Sequence, residues 1–261
     1  MSVWIDGRFL ASTDVPQPDP GAVAPFETMG ARTSQVPLWG RHVARLAAAA
    51  ARLGLPFSPP PDLRAKAGAL LLQNGHADDV LRLSLVPSGG TVHTVLATRS
   101  RGPHRSFVRL LPTVVQRAAG APPADLKAMP RRFHDAVLQQ AQDGGADDGI
   151  VVGPDGAVLE TALANLWLKL DGVWVTPPLD GRILPGIARA LLLEAAAAAG
   201  LRIAERACTL DHLHRAEALA TSNAVHGPRA ACLHGGKTPP VAIVDSELGR
   251  SWSAAVPGSR P

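Results

Sequence analysis

The chain has 261 residues, of which 46% are hydrophobic and 18% charged; this composition is typical of a folded protein with a substantial core and excludes a disordered chain. Its formal net charge is only +4 and it has no tyrosine, so we expect no nucleic-acid partner. We also expect a cytoplasmic protein with no membrane partner, because no apolar run reaches about 18 residues, the N-terminus lacks a secretory signal pattern, and the two cysteines are far apart in the sequence.

The N-terminal part of the chain predicts a small sheet with helices on one face. Three leucines alternate with polar residues at 80–86, which is typical of a half-buried strand. At 39–53, apolar positions recur on one helical stripe, and His42 and Arg45, three residues apart, share a face of this helix. The predicted elements are a hairpin at 2–10, helices at 39–53 and 62–73, and strands at 80–86, 91–97 and 107–111.

A segment rich in proline and glycine at 116–125 predicts a linker, and a strand-rich half follows it. We therefore expect an α+β fold of two domains. These are a small N-terminal domain at 1–115, the linker, a larger strand-rich domain at 126–250 and a loose tail at 251–261. The predicted elements of the second half are helices at 131–142, 186–199 and 210–214, a short terminal helix after residue 246, and strands at 150–152, 157–159, 166–170, 173–175, 201–207, 218–221 and 241–244.

Two polar features lie in the strand-rich half. Glu160 and Asn165 flank one predicted turn. Gly186 and Ile187 place backbone N–H groups at the start of a predicted helix, where an anion binds readily. A carboxylate combined with an anion site suits a phosphorylated, nitrogen-containing cofactor; the alternative is a solvated acid and a turn glycine. We expect no metal site, because no three ligands are close together in the sequence.

Only four lysines could form a Schiff base. Lys66 lies on a predicted solvent-facing helix, Lys169 beside a turn, and Lys237 in a loop of glycine and proline. Lys127 follows the linker, at the kind of domain interface that ligand sites favour. Burial near arginines would make its amine a nucleophile. The alternative is that Lys127 is a solvated linker lysine.

Segments along the whole chain resemble one family in the right order. PFET and HVARL come first, followed by Lys127, GADDGIVVGPDGAVLETALANLWL, VTPPLDGRILPGIAR and TSNAV. From about residue 26 to residue 229, the chain resembles the fold-type IV pyridoxal-phosphate (PLP) enzymes, which are the class IV aminotransferase family. The resemblance implies the D-amino-acid aminotransferase-like fold, pyridoxal 5'-phosphate as cofactor, a small-molecule amino substrate and a homodimer.

The resemblance also implies a role for each matching residue. Lys127 would hold the cofactor as a Schiff base and move the proton. Glu160 would pair with the pyridine nitrogen, so that the ring acts as an electron sink. The remaining residues would bind the cofactor phosphate, through side chains or through backbone N–H groups at the helix start; they are Arg45, Gly186, Ile187, Ser222 and Asn223.

Within this family, the segments ANLWL and SNA are most similar to aminodeoxychorismate lyase, which converts 4-amino-4-deoxychorismate to 4-aminobenzoate and pyruvate. The alternative is a class IV aminotransferase acting on branched-chain or D-amino acids. A third interpretation is a non-catalytic domain that binds phosphate or nucleic acid. The chain departs from the lyase pattern on the substrate side, where Pro87 replaces an arginine and Pro130 a polar residue. The candidates for binding a substrate carboxylate instead are Arg82, Arg131, Arg132 and His104.

Overall fold

The computed structural model describes residues 1–103, 105–196 and 198–256. They form two compact units. The first unit comprises residues 1–103 and 126–130, and the second comprises residues 105–125 together with the described residues from 131 onwards. Each unit has its own sheet, and the mixture of helices and strands expected from the sequence is confirmed.

Most of the regular elements are short. The described strands are β1 Ser2–Ile5, β2 Arg8–Ala11, β3 Ala24–Gly30, β4 Val80–Ser88, β5 Thr91–Arg99, β6 Phe107–Thr113, β7 Ala128–Met129, β8 Asp148–Val152, β9 Ala157–Thr161, β10 Asn165–Leu170, β11 Val173–Thr176, β12 Ile203–Glu205, β13 Cys208–Thr209, β14 Ala218–Asn223 and β15 Gly227–Leu233. The described α-helices are α1 Trp39–Arg52, α2 Leu63–Gln73, α3 Arg132–Asp143, α4 Ile187–Ala196, α5 Leu210–Arg215, α6 Val241–Val244 and α7 Arg250–Ala255. A 3-10 turn at Ser12–Asp14 and a π-helical turn at Asp245–Gly249 accompany them.

The first unit is built on a six-stranded sheet in the order β2-β1-β5-β4-β3-β7. The alternation predicted for β4 is confirmed, since Leu81, Leu83 and Leu85 are fully buried. They pack in one apolar cluster with Leu46 of α1 and Leu70 of α2. Because each side chain of this size contributes about 2 kcal/mol when it leaves water, this cluster holds both helices on the sheet.

The second unit is built on a nine-stranded sheet in the order β12-β11-β10-β14-β15-β6-β8-β9-β13. Strand β9 also pairs with β10, so the six strands from β10 to β9 in this order form a closed ring. The pairing that closes the ring joins Glu160 to Asn165. Leu110, Ile150 and Leu166 are fully buried in one apolar cluster of this unit. A closed ring leaves no open strand edge there, and it gives the β9–β10 turn a stiff frame.

The boundary between the units differs from the one expected at residue 115. Strand β6, which the sequence analysis places in the N-terminal domain, pairs in parallel with β15 and β8 of the second unit. Residues 116–125, expected as a separate linker, group with the second unit, and Leu126–Pro130 groups with the first. The reason for the latter is that β7 pairs with β3 through Met129 and Ala24. Local hydrophobic patterns do not report pairings between segments so distant in sequence.

The C-terminal region differs from the expectation in two further ways. Residues 241–244, expected as a strand, form α6 with Val244 fully buried; the last strand of the sheet is β15. A short terminal helix is present as expected, but α7 extends into the tail expected to be loose from residue 251, and its Trp252 is only 3% exposed. Burying a side chain as large as indole anchors a chain end. Residues 257–261 of the expected tail lie outside the described residues.

The described residues contain neither a membrane-spanning helix nor a metal-binding cluster. None of their helices combines the length and the apolarity that crossing a membrane requires. No group of three or more histidine, cysteine or acidic side chains among them is arranged to hold a metal ion. His212 instead accepts a hydrogen bond from the backbone N–H of Thr209 at 3.1 Å, which caps the start of α5.

Close packing of β8 against α3 predicts the effect of adding one methyl group. A Cβ at Gly149 would lie 2.5 Å from the Val137 carbonyl oxygen and 2.9 Å from Thr113 Cγ2. We expect Gly149→Ala to lower the free energy of unfolding by about 3 kcal/mol, because backbone cannot yield as a flexible side chain does. Urea unfolding monitored by circular dichroism measures this.

The matched control for this substitution is Gly40→Ala. A Cβ at Gly40, in the first turn of α1, meets nothing within 4 Å. We expect this variant to be as stable as the parent or up to about 1 kcal/mol more stable, since alanine favours the helix. Equal stability of the Gly149→Ala variant and the parent would contradict the packing argument.

Candidate functional site

A buried acid lies at the end of β9 in the second unit. Glu160 is 5% exposed and pairs with Asn165 across the tight β9–β10 turn. The turn is fixed by Thr161, whose hydroxyl accepts the N–H of Ala164 at 2.9 Å and whose backbone N–H donates to the Ala164 carbonyl at 2.8 Å. The interpretation of Glu160 as a solvated strand-end acid is therefore wrong.

Glu160 is surrounded by hydrogen-bond donors. Its Oε2 accepts the backbone N–H of Leu184 at 3.1 Å and the side-chain amide of Asn165 at 3.3 Å. Its Oε1 lies 3.7 Å from His134 Nε2. A buried carboxylate is tolerated only with such partners, and the two hydrogen bonds to Oε2 satisfy part of this requirement.

Asn165 links this acid to the start of α4. Its amide also donates to the Leu184 carbonyl at 3.0 Å, and a Cβ at position 186 would lie 1.8 Å from Asn165 Oδ1. Only glycine therefore fits at Gly186. The Gly186 carbonyl accepts the N–H of Ala190 at 2.9 Å, so Gly186 caps the helix and Ile187 begins it. The N–H groups of this first turn lack partners within the helix and favour an anion.

Ser222 and Asn223 lie at the end of β14, next to this network. Ser222 is the register partner of Asn165, and its hydroxyl accepts the Trp167 indole N–H at 2.8 Å. The Asn223 side-chain oxygen accepts the backbone N–H groups of Val225 at 3.1 Å and His226 at 2.9 Å. These contacts fix the turn after β14, and the phosphate-binding role of both residues stays a prediction.

In the first unit, Lys127 packs on an aromatic ring. Its Nζ lies 4.8 Å from the centroid of the Phe26 ring, and its carbonyl accepts the Phe26 N–H at 3.0 Å. The Arg82 guanidinium lies over the same ring, 3.8 Å from the centroid. Two cations thus share one aromatic neighbour, which favours positive charge at its face.

The next residue of β3, Glu27, binds Arg45 and His42 of α1. Arg45 donates to both of its oxygens at 2.7 Å, and His42 Nδ1 lies 2.7 Å from Oε2. Burial raises the pKa of Glu27, but the hydrogen bonds from Arg45 and His42 outweigh it and bring the pKa from 4.5 to about 2. Burial lowers the pKa of His42 below 6.5, and the charge of Lys127 lowers it further. The shared face predicted for His42 and Arg45 is confirmed by their common partner.

The structure thus gathers the predicted site residues into two groups. Glu160, Gly186, Ile187, Ser222 and Asn223 belong to one network in the second unit, connected by Asn165. Lys127 and Arg45 belong to the first unit, where Phe26 and Glu27 of β3 contact them. No role was predicted from the sequence for Asn165, Glu27 or His134. The signals for Glu27 were its charge inside the apolar β3 segment and its place in the PFET segment.

The other candidates for a substrate carboxylate differ in their surroundings. Arg131 donates to the Ala162 carbonyl at 3.0 Å and lies 3.4 Å from Asp135, so it is engaged within the second unit. Arg132 is exposed at the start of α3. His104 lies outside the described residues. Among the described candidates, Arg82 is therefore the one that contacts the same ring as Lys127.

A family model covers most of the chain. Residues 24–231 match the family described as Amino-transferase class IV, and the chain belongs to this family of PLP-dependent enzymes. The family predicted from the sequence is confirmed. Among curated relatives, the mitochondrial branched-chain-amino-acid aminotransferase of Mus musculus is 39% identical over 104 residues, which are 37% of this chain and 26% of the relative. The match thus spans about a quarter of that relative's length.

Solved structures share the fold. The branched-chain amino acid aminotransferase of Escherichia coli has a TM-score of 0.86 and 20% sequence identity, over 100% of this chain and 96% of that one. A Legionella pneumophila protein assigned as a 4-amino-4-deoxychorismate lyase has a TM-score of 0.77 and 24% identity, over 87% of this chain and 91% of that one. At these identities the likeness establishes the fold, and the expected fold-type IV architecture is confirmed.

The buried ion pair of the first unit predicts a pH-dependent stability. We expect Glu27→Gln to lower the free energy of unfolding at pH 7 by about 3 kcal/mol, because Arg45 loses a buried partner. The Glu27 contribution is fully present above pH 4.5 and is lost as the pH falls towards about 2. The stability difference between parent and variant should therefore shrink over this range in urea titrations.

Asp62→Asn is the control for this prediction. Asp62 forms an exposed pair with Lys66 at 3.4 Å, and exposed pairs contribute at most about 1 kcal/mol. A Glu27→Gln effect as small as that of the control, or one that does not change below pH 4.5, would contradict the assignment.

Proposed function

We propose that this chain is a PLP-dependent lyase that converts 4-amino-4-deoxychorismate to 4-aminobenzoate and pyruvate. The observation that carries the PLP site is the buried carboxylate of Glu160, held in one network with the start of α4. A carboxylate removed from water suits a protonated pyridine nitrogen, and a helix N-terminus suits a phosphate. The carboxylate and the helix N–H groups match the two polar ends of PLP. When bound, PLP would supply an electron sink for the substrate carbon.

Each proposed residue has a task that its chemistry allows. Lys127 Nζ is the amine that attaches the cofactor and accepts the proton from the substrate carbon. The Phe26 ring limits the hydration of this amine and orients it. Glu160 holds the proton at the pyridine nitrogen. The proposed phosphate ligands are Arg45, Gly186, Ile187, Ser222 and Asn223.

A substrate with a carboxylate is supported by Arg82. This guanidinium and Lys127 Nζ contact the same ring, so one small molecule could carry both the amine that displaces the lysine from the cofactor and the carboxylate that the arginine binds. 4-Amino-4-deoxychorismate carries an amine and two carboxylates. Its atoms are those of 4-aminobenzoate and pyruvate together, so the conversion needs no second reactant. Aromatisation of the ring drives the loss of the side chain.

The lyase assignment is further supported by the segments that resemble this enzyme. ANLWL begins β10 close after Glu160, and SNA ends β14. Asn165 and Ser222, one from each segment, are paired residues on neighbouring strands. The two segments most similar to the lyase therefore lie side by side around the proposed cofactor ligands.

A class IV aminotransferase acting on branched-chain or D-amino acids is the second candidate. It is favoured by the curated relatives, which include the branched-chain-amino-acid aminotransferase of Pseudomonas aeruginosa at 36% identity over 81 residues. This match covers 31% of the chain. Transamination transfers the amino group from a donor to a keto acid and needs two substrates, whereas the lyase reaction leaves the amino group on the ring and needs one substrate. The products therefore distinguish the two candidates.

The first prediction of this proposal concerns the products and the lysine. PLP-loaded protein should be yellow and should release 4-aminobenzoate and pyruvate in equal amounts from 4-amino-4-deoxychorismate, followed by fluorescence and a coupled pyruvate assay. Lys127→Ala should lower the rate by at least about a thousandfold. Borohydride should fix the cofactor on the peptide containing Lys127. Lys66→Ala, which changes a solvent-facing lysine, should leave colour and rate unchanged.

Other outcomes would redirect or overturn the proposal. Yellow protein without product release, but with amino transfer from a panel of L- and D-amino acids, would favour the second candidate. Protein that remains colourless with added PLP would overturn both and leave a non-catalytic domain. Full activity of Lys127→Ala would show that another lysine serves.

We also propose that the protein is a cytoplasmic homodimer. The family resemblance supports the dimer, and the free thiols of Cys208 and Cys232 are typical of a reducing compartment. Sedimentation equilibrium at micromolar concentration should give twice the mass of the chain. A monomer mass at all concentrations up to about 100 μM, well above typical dissociation constants, would contradict the dimer.

A further inference from the structure

Residues 241–256, which we call the C-terminal segment, pack against the second sheet and α4. The segment comprises α6, the π-helical turn and α7, and its side chains Val244, Leu248 and Trp252 are at most 3% exposed. Helix α6 contacts β14 and β15, the π-helical turn contacts β15, and α7 contacts α4. The segment therefore touches both α4 and β14, the two elements of this unit that carry proposed phosphate ligands.

Glu247 ties the C-terminal segment to two strands. Its Oε1 accepts a hydrogen bond from Lys169 Nζ at 2.6 Å, and its Oε2 accepts the Trp174 indole N–H at 2.6 Å. Lys169 lies on β10 and Trp174 on β11. The Ser251 hydroxyl donates to the Glu247 carbonyl at 3.1 Å, which connects the π-helical turn to α7. The contacts of Glu247 thus fix the start of α7 relative to the sheet.

Trp252 of α7 packs directly on Gly227. A Cβ at position 227 would lie 2.6 Å from Trp252 Nε1 and 2.9 Å from Trp252 Cδ1, so the indole occupies the space that a larger residue would need. Gly227 is the register partner of Asn223 in the β14–β15 hairpin. Asn223 Oδ1 accepts the backbone N–H groups of Val225 and His226. The indole therefore packs on the hairpin turn that Asn223 holds together.

The ring of Trp252, and not its polar atom, makes this contact favourable. Its indole N–H has no hydrogen-bond partner among the described residues, and a buried donor without a partner lowers stability. The favourable contribution therefore comes from the area and the flat shape of the ring. Phenylalanine retains a flat ring and lacks the donor, whereas leucine loses the ring altogether.

We propose that Trp252 is a positioning residue for the cofactor phosphate: its ring, packed on Gly227, fixes Asn223 relative to the start of α4. This inference rests on the proposed function, in which Ser222, Asn223 and the first turn of α4 bind the phosphate of PLP. Several donors bind one phosphate tightly only when their mutual distances are fixed before binding. The C-terminal segment thus sets the affinity for the phosphate without contributing a ligand to it.

Four substitutions test the contact from both sides. Gly227→Ala places a methyl group against the indole, and Gly235→Ala is its matched control. The two glycines have φ values of +72° and +74°, and a Cβ at Gly235 meets nothing within 4 Å. Both alanine variants therefore share the backbone strain of a positive φ, and they differ in the contact with Trp252. Trp252→Leu removes the ring, and Trp252→Phe is its conservative counterpart.

The experiment compares the affinities of full-length apoprotein for PLP and for pyridoxal, which lacks the phosphate. Both ligands are titrated by visible absorbance. We expect Gly227→Ala and Trp252→Leu to weaken PLP binding about tenfold, the effect of one lost hydrogen bond to a charged group. Their pyridoxal affinity should stay within about threefold of that of the parent. Trp252→Phe and Gly235→Ala should stay within about threefold for both ligands.

The outcomes separate this inference from the proposed function. Parent protein that stays colourless with PLP overturns both. Parent protein that binds PLP, while Gly227→Ala binds it as tightly as Gly235→Ala does, overturns the role of Trp252 alone. Equal losses of PLP and pyridoxal affinity in Gly227→Ala also overturn that role, because the contact would then support the whole fold and not the phosphate site. Should Trp252→Leu fail to fold, the two glycine variants decide by the same comparison.

Discussion

An ionised carboxylate that leaves water must be surrounded by donors, and this requirement organises the second unit. Glu160 accepts hydrogen bonds from two separate segments, the turn that leads to α4 and the first residue of β10, and His134 of α3 lies 3.7 Å from its other oxygen. Each of these segments is fixed in turn by the contact it makes. The pairing of Glu160 with Asn165 closes the ring of strands. The same contacts therefore fix the position of the acid, the closure of the sheet and the start of α4. Removing the acid would leave buried donors unpaired.

The first unit also contains a buried carboxylate, and here side chains on a neighbouring helix donate to it. Glu27 is almost fully buried, and it remains anionic because Arg45 and His42 donate to it. The neighbouring residue on β3 points to the other side of the strand, and there the Phe26 ring contacts Lys127 and Arg82. Two adjacent residues of one strand thus contact different groups, since Glu27 binds Arg45 and His42 and the Phe26 ring contacts Lys127 and Arg82.

Similarity in fold and similarity in sequence diverge in this protein. The structure follows an aminotransferase of only 20% identity with a TM-score of 0.86, because a fold needs mainly the right pattern of apolar residues and connections. Reaction type depends on a few side chains around the cofactor. The fold therefore does not by itself choose between lyase and aminotransferase chemistry.

The sequence by itself determined the family, the alternating β4 strand and the amphipathic α1, and it predicted the lysine and the acid of the proposed site, because these depend on local periodicity and on short motifs. Tertiary structure alone decided that β6 belongs to the second unit and that residues 241–244 are helical. It also decided that Glu27 binds Arg45, and that Asn165 and His134 lie beside Glu160. Parallel strand pairing joins residues more than a hundred positions apart, as Phe107 and Ala230 show, and a buried polar residue looks the same in sequence as an exposed one. Contacts of this kind are fixed by packing of the whole chain, which no local pattern encodes.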